Sequence, residues 1–204
     1  MNTIETRTQR SLLYVAIGGA VGWVGTYGVN EVGPFSLELD IYFVVAIWAV
    51  LLLAGVLWVR TAPTIRRANA WRIWVYLSGV ALAVNAVANT PRLVPNPDLF
   101  MLLQEYAYYH PWFAVYAIGY VATARYEPES GLMGGTERTM YVVSGAFSLA
   151  FLVALLTVLI PDEHVILAGG LLNVLPPLLA IYIRRWEAAS ASRDRIRVTS
   201  GEKP

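Results

Sequence analysis

The chain has 204 residues, 57% of them hydrophobic and only 14% charged, with a net charge of +1 and a mean hydropathy of +0.53. A soluble domain carries about 25% charged residues, so this composition excludes a dissolved monomer and points to a chain solvated largely by lipid. There is no cysteine, which removes disulfides, thiolate nucleophiles, iron–sulfur ligation and Cys-x-x-Cys-His haem attachment together.

Charges fall into islands at 5–10, 31–40, 60–72, 125–138 and 184–203. The runs between them have at least the roughly 20 residues needed to cross a bilayer core as a helix, and the two longest, 73–124 and 139–183, have room for two crossings each. The sequence therefore predicts an all-α, polytopic membrane bundle, with one transmembrane domain over 1–186 and a polar, disordered cytoplasmic tail over 187–204.

The first span, 11–29, follows Arg7 and Arg10. It is longer than a signal-peptide core and no A-x-A-type site follows it, so it is read as a retained helix. Gly18, Gly22 and Thr26 recur at intervals of four, a small-residue face suited to close helix packing or to a second copy of the chain. The second span, 41–59, follows the acidic residues Glu31, Glu38 and Asp40.

The third span, 73–90, stops at Pro91, because the residue before proline is pushed out of the helical region. Its Ser78, Asn85 and Asn89 are spaced by 7 and 4 and share one face. The proline-rich PRLVPNPD at 91–98 is a loop. The fourth span, 102–124, carries Glu105, His110 and Pro111. Counting back from Arg125 puts Glu105 at the far interface and His110 about 7–8 Å below it. Pro111 lacks an amide N–H and frees the carbonyl of Ala107.

The fifth and sixth spans, 139–160 and 165–183, form a hairpin through PDEH at 161–164, and Asn173 in the sixth precedes Pro176 and Pro177. Six spans place 14 of the 15 basic residues on the side of the N-terminus, with Arg92 alone opposite. Basic residues in short loops stay cytoplasmic, so both termini are expected in the cytoplasm of a cell-membrane protein. The opposite face is acidic, which is tolerated there and could also attract cations.

Ionisable and amide groups within a bilayer are functional candidates. Asn85, Asn89, Glu105, His110 and Asn173 are therefore read as a polar site in the external half, with Asn85 as the partner of His110. The competing reading is that the amides hold helices together, at about 0.6 kcal/mol per interaction. The tyrosines and tryptophans serve as core filler and interfacial belts, or line a pocket for an apolar ligand. The leading functional reading is a small transporter or channel-like protein. The alternatives are a non-catalytic membrane subunit or assembly factor and, third, an embedded enzyme. No cofactor is expected; haem or metal at His110 and His164 lacks any supporting spacing. Expected partners are membrane lipid and a second copy or another membrane protein, with no nucleic acid.

Overall fold

The computed structural model describes residues 3–33, 37–60, 66, 68–127, 133–158 and 160–200, with side chains described over 8–33, 41–60, 66, 68–127, 133–158 and 160–191. Charges read at Arg7, Glu38, Asp40 and from Arg193 onward lie outside the described side chains. Among the described residues there are seven α-helices, one 3-10 turn and no strand. They are α1 (Thr3–Val32), α2 (Leu37–Val59), α3 (Asn69–Ala88), the turn Pro91–Leu93, α4 (Pro97–Ala107), α5 (His110–Tyr126), α6 (Gly135–Thr157) and α7 (Asp162–Ser200).

Five of these helices, α1, α2, α3, α6 and α7, are long and apolar enough to cross a membrane. Their outer faces are what lipid requires: on α1, Ile17, Val21 and Val24 recur at helical spacing and are 56%, 53% and 70% exposed. Two expectations are corrected. The stretch read as one fourth helix, 102–124, is two helices, α4 and α5, broken at Tyr108 and Tyr109. Pro111 causes the break, since it cannot donate to the carbonyl of Ala107 and its ring clashes with it. The stretch read as a disordered tail is helical through Ser200. Good helix formers such as Ala, Glu and Arg fill it and no proline or glycine interrupts it after Pro177.

Local signals set the helix ends. Asn96 caps α4 by accepting from the Leu99 amide at 3.0 Å, with Pro97 at the start and Asp98 in the first turn. Hydroxyls inside the bundle bond back to their own helices: Ser144 to the Met140 carbonyl at 2.9 Å and Ser148 to that of Ser144 at 2.8 Å.

The helices close into a ring: α1 packs on α2, α2 on α3, α3 on α5, α5 on α6, α6 on α7, and α7 returns to α1. α5 is buried at Trp112, Phe113, Val115, Tyr116, Tyr120 and Ala124 and exposes only the stripe of Ile118, Val121 and Arg125, as an apolar helix packed between two neighbours should. One end of the ring carries Arg10, Arg60, Arg72, Arg125, Arg138 and Arg185 and is called the basic end. The other carries Glu31, Asp98, Glu105, Asp162 and Glu163 and is called the acidic end.

Candidate functional site

Six aromatic and small residues from six helices face one cavity of about 300 Å³: Gly18, Trp48, Trp74, Tyr116, Tyr141 and Asn173. The cavity runs from the middle of the bundle to the basic end, where Thr8, Ala68, Glu127 and Met133 surround it. Its size is at the lower bound for small-ligand sites, and its wall is mostly apolar with few polar groups.

Glycines make room for the aromatic wall. A Cβ on Gly22 would lie 2.7 Å from the Trp48 ring, one on Gly119 2.5 Å from Trp74, and one on Gly169 2.3 Å from Trp23. Gly19 leaves space for the Asn173 amide, 2.6 Å from where its Cβ would stand. Polar edges of the rings are satisfied. Trp23 Nε1 donates to the Tyr116 hydroxyl at 2.9 Å, Trp48 Nε1 to Thr26 Oγ1 at 3.1 Å, and Trp74 Nε1 to Thr123 Oγ1 at 2.9 Å. Asn173 is a polar neighbour of the same Tyr116 hydroxyl.

The small-residue face of α1 thus has a particular use. Gly22 and Thr26 seat Trp48 from α2, while Gly18 has nothing within 4 Å of its absent Cβ. Gly22→Ile should push Trp48 off its seat and cost about 1–3 kcal/mol, read as a lower thermal midpoint in detergent. Gly18→Ala should leave the midpoint unchanged. Equal midpoints for Gly22→Ile and the parent would mean that Trp48 is not seated there.

Toward the acidic end the cavity stops at two rings. Trp48 and Trp112 lie with centroids 4.9 Å apart. Both also line a much smaller pocket of about 10 Å³ beyond them, with Thr26, Asn85, Tyr108 and Tyr109. The two tryptophans are therefore a partition. Behind it, the Asn30 amide donates to the Tyr109 hydroxyl at 3.0 Å and its carbonyl oxygen accepts from that of Tyr108 at 3.3 Å. These bonds tie α1 to the helix break.

Asn85 holds the break itself. Its Nδ2 donates to the carbonyl of Ala107 and to that of Tyr108 at 3.1 Å. Its Oδ1 accepts from Trp112 Nε1 at 2.9 Å. The carbonyl that Pro111 leaves without a donor is thus capped from α3. The same solution recurs in α7: Pro176 orphans the carbonyl of Leu172, and the Tyr120 hydroxyl donates to it.

The five residues read as one polar site are not brought together. Asn85 is committed to the helix break and does not bond His110, the partner expected for it. Asn89 Nδ2 donates to the Asn85 carbonyl in its own helix at 2.7 Å. Glu105 is exposed near the acidic end. His110 packs against Tyr106, rings 5.2 Å apart, and both its ring nitrogens are buried with no hydrogen-bond partner. Asn173 alone lines the large cavity, away from the other four. Among the described residues no cluster of three or more His, Asp or Glu could hold a metal.

Sequence reading missed a buried ion pair at the basic end. Arg184 Nε and Nη2 donate to Glu137 Oε2 and Oε1, both at 2.8 Å, with Glu137 0% and Arg184 8% exposed. Both belong to the charge islands at 125–138 and 184–203. The pair joins α6 to α7 where the cavity reaches the basic end. Comparison with known proteins gives no match to this chain: no family model, no curated protein and no solved structure.

Proposed function

We propose that the protein is a small membrane carrier whose solute occupies the aromatic cavity. In this reading the chain crosses the cell membrane six times, α4 and α5 together making the fourth crossing. Both ends of the chain lie in the cytoplasm, and the basic end is the cytoplasmic one. The excess of arginine at that end supports the orientation.

The observation that carries the proposal is the partition. A ligand-sized cavity reaches one end of the bundle and is closed toward the other by a single pair of rings, Trp48 and Trp112. One crossing is broken at Tyr108 and Tyr109 and α7 carries Pro176 and Pro177 within a continuous helix, and broken helices are where carriers build sites and move. The site of this proposal is in the cytoplasmic half, with Asn173 as its polar contact. Asn85 serves the helix break, and Glu105 and His110 line neither pocket. Lipid covers the exposed apolar faces of the ring.

Reconstitution tests it. Proteoliposomes preloaded with unlabelled benzyltrimethylammonium, phenylacetate or phenylalaninamide should show saturable counterflow of the labelled form of at least one of them. Trp48→Ala should convert that exchange into unsaturable leak. Flux of all three at the level of protein-free liposomes would contradict the carrier reading and favour a non-catalytic membrane subunit.

A further inference from the structure

We infer that the cavity takes an uncharged molecule with an aromatic body and one hydrogen-bonding head, the head seated between Ser78 and Asn173. This deepens the carrier proposal and rests on it. Hydroxyls in apolar helices commonly bond back to their own backbone. Thr26, Thr123, Ser144 and Ser148 each donate to the carbonyl four residues before. Ser78 lines the cavity from α3 and makes no hydrogen bond with any described residue. Asn173 lines it from α7, is 9% exposed, and has as its polar neighbour the Tyr116 hydroxyl, which already accepts from Trp23. A carboxamide has two N–H donors and an oxygen with two lone pairs, so Asn173 keeps capacity to spare.

The two groups stand at one level of the bundle. Asn85 meets Trp112 and Trp74 meets Thr123, so α3 runs antiparallel to α5 with Ser78 opposite Gly119. The next residue, Tyr120, donates to the Leu172 carbonyl beside Asn173. The indole N–H groups of the surrounding rings are spent: those of Trp48, Trp74 and Trp112 go to Thr26, Thr123 and Asn85. A ligand is left with one hydroxyl and one amide, and both can donate and accept.

A charged head finds no partner at this level. Among the described residues of the wall the charged ones are Glu127 and Arg184. They lie 11 residues along their helices from Tyr116 and Asn173, about 16 Å nearer the basic end. An unpaired charge in an apolar site is costly, whereas an uncharged head that finds its hydrogen bonds is not. Ring faces do not stand in for a counter-charge, because they are turned on each other. Trp48 lies 4.9 Å from Trp112 and Trp74 lies 5.1 Å from Tyr120, which leaves no gap between them for a cation. Of the three counterflow solutes this singles out phenylalaninamide, whose α-amino group gives up its charge at about pH 7.7–8.0.

Trp48, Trp74 and Trp112 border the site, so intrinsic fluorescence of the purified full chain reports binding. Phenylacetamide, phenylacetate and benzyltrimethylammonium share an aromatic body and differ in the charge of the head, while propylbenzene has no polar head. Phenylacetamide should bind saturably and about tenfold more tightly than either ion. Ser78→Ala and Asn173→Leu should each weaken phenylacetamide about fivefold and leave propylbenzene within about twofold. Ser78→Ala removes no bond from the empty protein, so its result stands even where Asn173→Leu folds poorly. An ion bound as tightly as phenylacetamide, or more so, would overturn the uncharged assignment and leave the cavity as a solute site. An unchanged phenylacetamide affinity in Ser78→Ala would overturn the seat of the head. Saturable binding of none of the four would overturn this inference and the carrier reading together. Phenylacetamide binding without any counterflow would contradict the carrier reading alone.

Discussion

Glu137→Leu should destabilise the bundle by about 3–5 kcal/mol, because it leaves Arg184 buried without its counter-charge. The geometry makes this the largest single-residue effect expected. Both oxygens of Glu137 are used by two guanidinium nitrogens at 2.8 Å, and the carboxylate has no exposure to water with which to compensate. Arg184→Met should cost a similar amount for the reciprocal reason. The double variant Glu137→Leu/Arg184→Met should recover most of the loss, since an apolar pair of similar volume can replace a buried ion pair at little cost. Denaturant titration in detergent of the four proteins yields the coupling energy directly. Additive losses in the double variant would show that the two charges are not bound to each other.

Asn85→Leu should be the second largest. It removes one side chain and orphans three groups at once: the carbonyls of Ala107 and Tyr108 and the indole N–H of Trp112. At about 0.6 kcal/mol per interhelical bond the three sum to about 2 kcal/mol. The cost is higher if each orphaned group is charged about 1–3 kcal/mol. Asn89→Leu provides the contrast, because its side-chain bond stays within α3 and its loss should be much smaller. Pro111→Ala restores a backbone N–H for the Ala107 carbonyl, so it should rescue part of the Asn85→Leu defect. Equal midpoints for Asn85→Leu and Asn89→Leu, with no rescue by Pro111→Ala, would show that Asn85 does not hold the break.

These two predictions also mark what was legible in the sequence. The helical class and the approximate spans follow from hydropathy runs and charge islands, which are local. The Ala107 carbonyl freed by Pro111 follows from covalent geometry alone. Its partner does not, because Asn85 is 22 residues away from Ala107 and only the packing of α3 against α5 brings it there. The axial depth of Asn85 was readable from its place in the helix, but the direction it faces was not. Depth alone therefore grouped it with His110.

Glu137 and Arg184 show the same limit in another form. They are 47 residues apart, and each sits beside other charges at the edge of an apolar run, the usual pattern of solvated residues. Nothing local separates them from Arg138 and Arg185, which are exposed. The glycine at 22 was visible as a small residue at helical spacing. That it makes room for a tryptophan ring from α2 required the fold.

Sided labelling of two single cysteines tests the inward-facing cavity most directly, and the native chain offers a cysteine-free background. Ser78 lines the cavity, and Glu163 lies in the first turn of α7 at the acidic end. A membrane-impermeant thiol reagent applied to intact cells should label Glu163→Cys and leave Ser78→Cys unreacted. The same reagent applied to inverted vesicles should label Ser78→Cys and spare Glu163→Cys. Labelling of Ser78→Cys from the outside, or of both cysteines from the same side, would contradict a cavity closed by Trp48 and Trp112 and reached from the cytoplasm.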